Sequence, residues 1–241
     1  MPDSPPHPQP MPAKVRHLVI VLGDQLDANA TALQGFDPAQ DVVWMAEVAE
    51  ESTHVWSAKQ RIAVFLSAMR HFAGHLRQQG LPVHYTRLDD ASNPGTLGLA
   101  LSQAIAQLKP VSLILTAPGD WRVLQSLRAT AAAHDLPLAL RDDTHFFSTV
   151  REFAAHAKGR KQLRMEYWYR ELRQKHSILM DGAAPVGGQW NFDADNRESF
   201  GKAGPQHLTP PTRFAPDAIT QEVLALVQSR FASHPGQLNT F

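Results

Sequence analysis

From residue 17 to about residue 141 the chain alternates between short, largely apolar runs and longer stretches whose apolar positions recur every third or fourth residue. His17 to Leu22 (HLVIVL) is the first run and stops at Gly23-Asp24, which predicts a buried strand followed by a turn. Asp41 to Ala46 (DVVWMA) repeats the pattern, and Pro82 to Arg87, Val111 to Thr116 (VSLILT) and Leu138 to Arg141 give three more strands. Between Val55 and Gln79 the residues Ile62, Phe65, Leu66, Met69, Phe72 and Leu76 fall at helical spacing, an amphipathic helix with Gly80 at its end. Leu97 to Leu108, closed by Pro110, and Arg122 to His134 predict two further helices. Strands that are apolar throughout, alternating with helices, imply a parallel sheet covered on both faces. Residues 15–145 therefore read as an α/β domain, a Rossmann-like, doubly wound, five-stranded parallel sheet with helices on both faces.

Beyond Asp142 the pattern changes. Arg151 to His176 carries eight Lys or Arg against Glu152, Glu166 and Glu171, with Tyr167, Trp168 and Tyr169 in its middle. Arg160, Lys161, Arg164, Arg170, Arg173 and Lys175 are expected within about four turns of one helix. A Gly- and Pro-rich stretch follows, Asp181 to Pro216, and a last amphipathic helix spans about Asp217 to Phe231. Residues 146–216 thus read as a basic helix and a long connector, not as a second compact domain, and 217–241 as the start of something further. Met1 to Pro12 is proline-rich without an apolar segment, so residues 1–14 are expected to be a disordered lead-in and not a signal peptide.

Composition narrows the chemistry. The chain has 241 residues, 43% hydrophobic and 19% charged, enough to bury a core, and no run approaches the roughly 20 apolar residues of a membrane span. A cytoplasmic protein without membrane association is expected. Basic and acidic residues number 23 each, so overall charge points to no partner. With no cysteine, disulfides, thiolate zinc sites and cysteine-held clusters are excluded within these residues. The 12 histidines show no HExxH-type spacing, so no metal site is expected. GxGxxG, GxxxxGK[ST] and GxSxG are all absent, which removes the dinucleotide fingerprint, the P-loop and the hydrolase elbow.

In an open α/β sheet the ligand sits beyond the carboxyl ends of the strands. There the chain offers Gly23, Asp24 and Gln25 after the first strand, Glu47, Glu50 and Glu51 after the second, and Pro118-Gly119-Asp120-Trp121 after the fourth. Carboxylates and amides suit a neutral, hydrogen-bonding ring better than a pyrophosphate, although Lys59 and Arg61 lie close in sequence. The same acids also fit a plain role, Asp24 capping a turn and the glutamates opening a helix. Trp44 and Trp121 read as packing residues. In the basic segment the cations and interleaved aromatics fit nucleic-acid contact. An exposed Glu166–Arg170 pair with a Met165, Trp168, Leu172 stripe fits a helix that packs on a partner.

Five blocks, in order, carry a family resemblance: LVIVLGDQLD (Leu18 to Asp27), VVWMAEVAEES (Val42 to Ser52), KQRIAVFLSAMRHFA (Lys59 to Ala73), RKQLRMEYWYRELR (Arg160 to Arg173) and GGQWNFDADNR (Gly187 to Arg197). The sequence resembles the prokaryotic branch of the cryptochrome/photolyase family, the photolyase-related proteins with an iron–sulfur cluster, whose characterised members are bacterial (6-4) photolyases. That resemblance implies a light-dependent DNA-repair flavoprotein, a lyase. Its N-terminal α/β domain holds an antenna chromophore, 6,7-dimethyl-8-ribityllumazine. Its helical C-terminal domain holds FAD and the 4Fe-4S cluster.

Carried onto this sequence, the resemblance implies antenna contacts from Gly23, Asp24, Gln25, Glu47, Glu51 and His54. His54 stands where relatives often have tyrosine. Asp193, Asn196 and Arg197 are implied on the DNA-lesion side, and the helix from Arg160 as the connector between halves. The chain is expected to stop before the flavin site, with 217–241 beginning the missing flavin domain, and to be inactive alone. Its partners are then DNA in the full-length context and a flavin domain in cis or as a split subunit. Trp168, Trp190 and Phe192 are expected to expose apolar surface without that partner. The alternatives are a stand-alone Rossmann-type small-molecule or nucleotide-binding module, and a partner-binding subunit.

Overall fold

The computed structural model describes residues 10–194, 199, 201–202, 204–205 and 208–239. Most of the expected lead-in, residues 1–9, lies outside them, as do Asn196 and Arg197. The chain divides into two compact units, residues 1–143 with 216–241, and residues 144–215.

The first unit is built on a five-stranded, all-parallel sheet: β1 (His17–Ile20), β2 (Asp41–Ala46), β3 (Val83–Thr86), β4 (Ser112–Thr116) and β5 (Leu138–Arg141), in the order β3-β2-β1-β4-β5. The helices are α1 (Ala49–Thr53), α2 (Lys59–Gln78), α3 (Leu97–Leu108) and α4 (Trp121–Ala133), with α7 (Ala218–Arg230) returning from the chain's end. Side chains alternate across the pleat, so Leu18, Ile20, Val42, Trp44, Leu113 and Leu115 pack against α3 and α4. Val21, Val43 and Met45 face α2 through Met69, Ala73 and Leu76. Both faces are covered, as apolar strands require. The chain steps from β1 to β2 to β3 on one side and then resumes with β4 on the other side of β1. That reversal opens a crevice at the carboxyl ends of β1 and β4.

The sequence reading set 217–241 apart; in the structure α7 packs on the first unit's own core. Val223, Val227 and Phe231 are buried with Ile62, Ala63, Leu66 and Leu88. The helical stripe of residues 218–230 was legible; which neighbour it covers was not.

In the second unit the expected single basic helix is two. α5 (Val150–Ala157) opens on a capping box in which Thr149 and Glu152 satisfy one another's orphan amides. Gly159, at φ 75°, turns the chain out of it. α6 (Met165–His176) begins after seven intervening residues, 158–164, so Arg160, Lys161 and Arg164 are not helical. A two-stranded hairpin follows, β6 (Met180–Asp181) with β7 (Ala184–Pro185). Among the described residues no helix is long and apolar enough to cross a membrane.

Candidate functional site

At the switch point the first unit encloses a cavity of about 240 Å³. β1 and its turn supply Gly23 and Asp24, β2 and α1 supply Trp44 and Glu51, and α2 supplies Arg61, Phe65 and Met69. Ser57, ahead of α2, and Pro118 and Asp120, after β4, complete the rim. The walls are apolar and aromatic, with a few polar groups converging, the usual make-up of a small-molecule site.

Gly23 is needed here for space. A Cβ at this position would lie 2.9 Å from Met69 Sδ and 3.0 Å from Phe65 Cε1, so any larger residue forces these side chains of α2 to shift. Asp24 sits at the mouth. Although part of the residue faces solvent, the protein crowding its carboxyl raises its pKa, and the charges of Asp120 and Asp143 add to that. Its own backbone amide opposes the shift. Glu51 reaches across the rim to Arg122, whose Nη2 donates to both carboxylate oxygens at 2.9 and 3.0 Å. Burial disfavours the Arg122 charge, yet Glu51, Asp120 and Glu50 hold its pKa above the ordinary value. Asp120 caps α4 by accepting from the amides of Arg122 and Val123.

Glu47 borders the cavity but its carboxylate is turned to the protein. Arg70 donates Nε to Oε1 at 2.7 Å and Nη2 to Oε2 at 2.9 Å, Tyr85 donates its hydroxyl to Oε1 at 2.7 Å, and the Leu88 amide donates to Oε2 at 2.8 Å. With four donors engaged, Glu47 joins β2, α2 and β3 together. Gln25 also faces away from the lining. Its Nε2 donates to the carbonyls of Thr116 and Ala117, tying the β1 turn to the end of β4. His54 is exposed at the end of α1 and does not line the cavity.

Of the residues implied as ligand contacts, the fold therefore gathers Gly23, Asp24 and Glu51 with their side chains or backbone at the cavity. It assigns Glu47 and Gln25 to its own framework. Sequence reasoning missed Phe65, Ser57 and Arg122 at the site. Phe65 sits on the apolar stripe of α2 and gave no separate signal, although it is 38% exposed. Trp44 is fully buried as expected, and it also floors the cavity, while Trp121 is 70% exposed and not a packing residue.

The second unit has its own cleft, of about 610 Å³, lined by Tyr169, Arg173, Trp190, Phe192 and Asp193 among others. The guanidinium carbons of Arg170 and Arg173 stand 5.4 and 5.3 Å from the Trp190 ring. Much of the local charge is paired: Arg170 with Glu166, Lys175 with Glu152, and Arg160 with Glu171. Arg173 is buried and donates to the carbonyls of Ile178 and Leu179. Lys175 is the main reason the Glu152 carboxyl falls to about 2, with the Thr149 amide second. Of the expected apolar trio only Phe192 is exposed; Trp168 packs beside Phe153 and His156, and Trp190 is half-buried. Asp193 is exposed, its amide donating to Asn191 Oδ1 at 2.7 Å.

Comparison with known proteins supplies an independent line. The sequence model of the family described as "Deoxyribodipyrimidine photo-lyase-related protein" matches residues 19–241. The chain is 45% identical over 225 residues to a protein named "(6-4) photolyase" from Agrobacterium fabrum, an overlap of 93% of this chain and 44% of that protein. The chain thus spans less than half the length of this relative. An uncharacterised protein of Acanthamoeba polyphaga mimivirus is 22% identical over 138 residues, 56% of this chain and 68% of that one.

Proposed function

The chain belongs to the deoxyribodipyrimidine photo-lyase-related family, and from that premise we propose that its sheet-edge cavity holds the antenna ring of a (6-4)-type DNA-repair photolyase, 6,7-dimethyl-8-ribityllumazine. The observation that carries this reading is the make-up of the cavity: the aromatic residues Trp44 and Phe65 with a small set of hydrogen-bonding side chains, Asp24, Glu51, Ser57 and Arg61 among them. A lumazine is a flat, uncharged bicycle with amide-like edges and a polyol chain, and this donor set fits it. The volume of about 240 Å³ falls below the roughly 300 Å³ at which small-molecule sites usually begin, and it suits a bicyclic ring with its polyol outside, at the mouth.

In this reading Trp44, Phe65 and Met69 would hold the ring by its faces and exclude water. Asp24 and Glu51 would accept from ring N–H or ribityl hydroxyl groups, and Ser57 and Arg61 would donate to ring carbonyls. Arg122 would keep Glu51 aimed at the mouth, so that orientation comes from fixed groups and not from the ligand. When bound, the antenna absorbs light and passes the excitation to a flavin. FAD and a 4Fe-4S cluster belong, on this account, to a flavin domain outside these 241 residues, in cis or as a partner subunit, since the chain has no cysteine to hold a cluster. Asp193, Asn196 and Arg197 would face DNA, and the chain by itself would not repair a lesion.

The absorption spectrum of the purified chain, before and after addition of the lumazine, tests the proposal. A band near the visible edge that co-purifies or appears on addition, and that Glu51→Ala removes, supports it. No band in either case, or tight binding of ATP in its place, overturns it.

A further inference from the structure

The segment after α7 is fastened to the entrance of α2. Helix α2 starts without a side-chain cap, because its N-cap residue is Ala58 and leaves the first amides without an acceptor. Pro235 supplies one of the missing partners, its carbonyl accepting from the Lys59 amide at 2.8 Å. His234 is buried, lies 2.9 Å from the Ser57 carbonyl through Nδ1, and stacks on Trp56 with ring centroids 4.5 Å apart. Since a carbonyl only accepts, Nδ1 carries the proton in that contact. Gly236, at φ 89°, runs so close to Gln60 that a Cβ would come within 2.0 Å of its Oε1. Trp56, Ser57 and Lys59 are thus contacted from residues 234 and 235, Gly236 passes close to Gln60, and in this stretch Ser57 and Arg61 line the cavity.

From this arrangement we infer that His234 is a positioning residue for the cavity: through Ser57 and Trp56 it sets the wall formed by the first turn of α2, and ligand affinity depends on it. The inference rests on the lumazine reading for its ligand, but not for the contacts that carry it. His234 does not itself line the cavity and reaches it only through Ser57. The distinction matters because a residue that only stabilised α7 would leave the cavity's affinity and spectrum unchanged once the protein was folded.

The experiment uses the full chain and His234→Ala, His234→Asn and Gly236→Ala. His234→Asn keeps a side-chain donor near the Ser57 carbonyl, while Gly236→Ala presses on Gln60. Hydrogen exchange is followed at residues 55–62 and at 218–230, and 6,7-dimethyl-8-ribityllumazine is titrated by its near-visible absorption. For His234→Ala we expect faster exchange at 55–62 with 218–230 still protected. We also expect about tenfold weaker lumazine binding, corresponding to about 1.4 kcal/mol, and a shifted band. His234→Asn is expected to recover part of the affinity, and Gly236→Ala to reproduce the faster exchange. Unchanged exchange at 55–62 overturns the inference, and so does unaltered affinity in a variant whose exchange has risen. If the unsubstituted chain binds no lumazine, the chromophore reading fails by itself, and the positioning role stands or falls on the exchange at 55–62.

Discussion

The Glu47 carboxylate and the Arg70 guanidinium form a two-point ion pair, at 2.7 and 2.9 Å, with both side chains almost fully removed from solvent. The pair lies at the carboxyl edge of the sheet, where a ligand-contacting acid was expected, and binds the protein to itself instead. Burying a charge is costly unless it is paired and hydrogen-bonded, and here the donors are complete on the carboxylate. The half-buried Tyr85 phenol, its pKa raised first by its own desolvation and then by Glu47, stays protonated and donates to that carboxylate.

Glu47→Gln is accordingly expected to cost up to about 3–5 kcal/mol of stability, because Arg70 loses its buried counter-charge and keeps only the exposed Asp89 and Glu222. Urea unfolding of the two proteins measures it. A loss under 1 kcal/mol would contradict the framework role.

Gly23→Ala tests the tight closure of α2 on the β1 turn. The new methyl meets Met69 Sδ at 2.9 Å and Phe65 at 3.0 Å, and the flexible methionine can yield while the ring must shift into the cavity. A loss of about 1–3 kcal/mol is expected, typical of overpacking, along with weakened lumazine binding. Thermal melts and a lumazine titration read the two effects separately.

Asp24 behaves in the opposite sense. Its carboxyl pKa is higher folded than unfolded, chiefly because the surrounding protein desolvates it, so its charge opposes folding at neutral pH. That opposition fades as pH falls through the raised value. Asp24→Asn is therefore expected to raise the melting temperature at pH 7 while weakening lumazine binding, the trade-off of a functional group held against stability. A lowered melting temperature would contradict it.

These residues also show what the sequence alone conveys. All five strands, and α3 between Leu97 and Leu108, were legible because a buried parallel strand and an amphipathic helix leave distinct periods in a sequence. Gly23, Asp24 and Glu51 lie at the strand ends and border the cavity there, where ligand sites in such sheets gather. Glu47 and Gln25 satisfy the same positional rule, yet Arg70, Tyr85 and the β4 carbonyls engage them. Only the strand order brings those partners near. Phe65 was hidden for a related reason, since one apolar stripe serves both the core and the cavity. The break between α5 and α6 followed from Gly159, whose left-handed backbone outweighs the helical charge pattern around it.

His71 ties α7 to α2 in a pH-dependent way. Its Nε2 lies 2.6 Å from Asp217 Oδ2 and its Nδ1 2.7 Å from the Ser67 carbonyl, so both ring nitrogens face acceptors and the imidazolium is favoured. The His71 pKa is raised, by Asp217 first and the Ser67 carbonyl second. Asp217, which also caps α7, falls to about 2, by His71 first and the Thr220 amide second. The carboxylate's contribution is complete above its unfolded value of about 3.9 and fades as pH falls toward the folded one. The imidazolium's contribution is complete below about 6.5 and fades as pH rises through the raised value. Protection of residues 218–230 from hydrogen exchange is thus expected to be greatest between about pH 4 and pH 6.5. His71→Gln is expected to remove the alkaline decline, and a profile that stays the same in that variant would contradict the link.

The central claim is that the cavity over β1 and β4 is built for an uncharged bicyclic ring. Equilibrium dialysis of the full chain against 6,7-dimethyl-8-ribityllumazine, alongside Gly23→Leu, tests it most directly. The account predicts saturable one-to-one binding that Gly23→Leu abolishes while the protein remains folded by circular dichroism. Absence of binding to the unsubstituted chain, or equal binding by the filled variant, would contradict it.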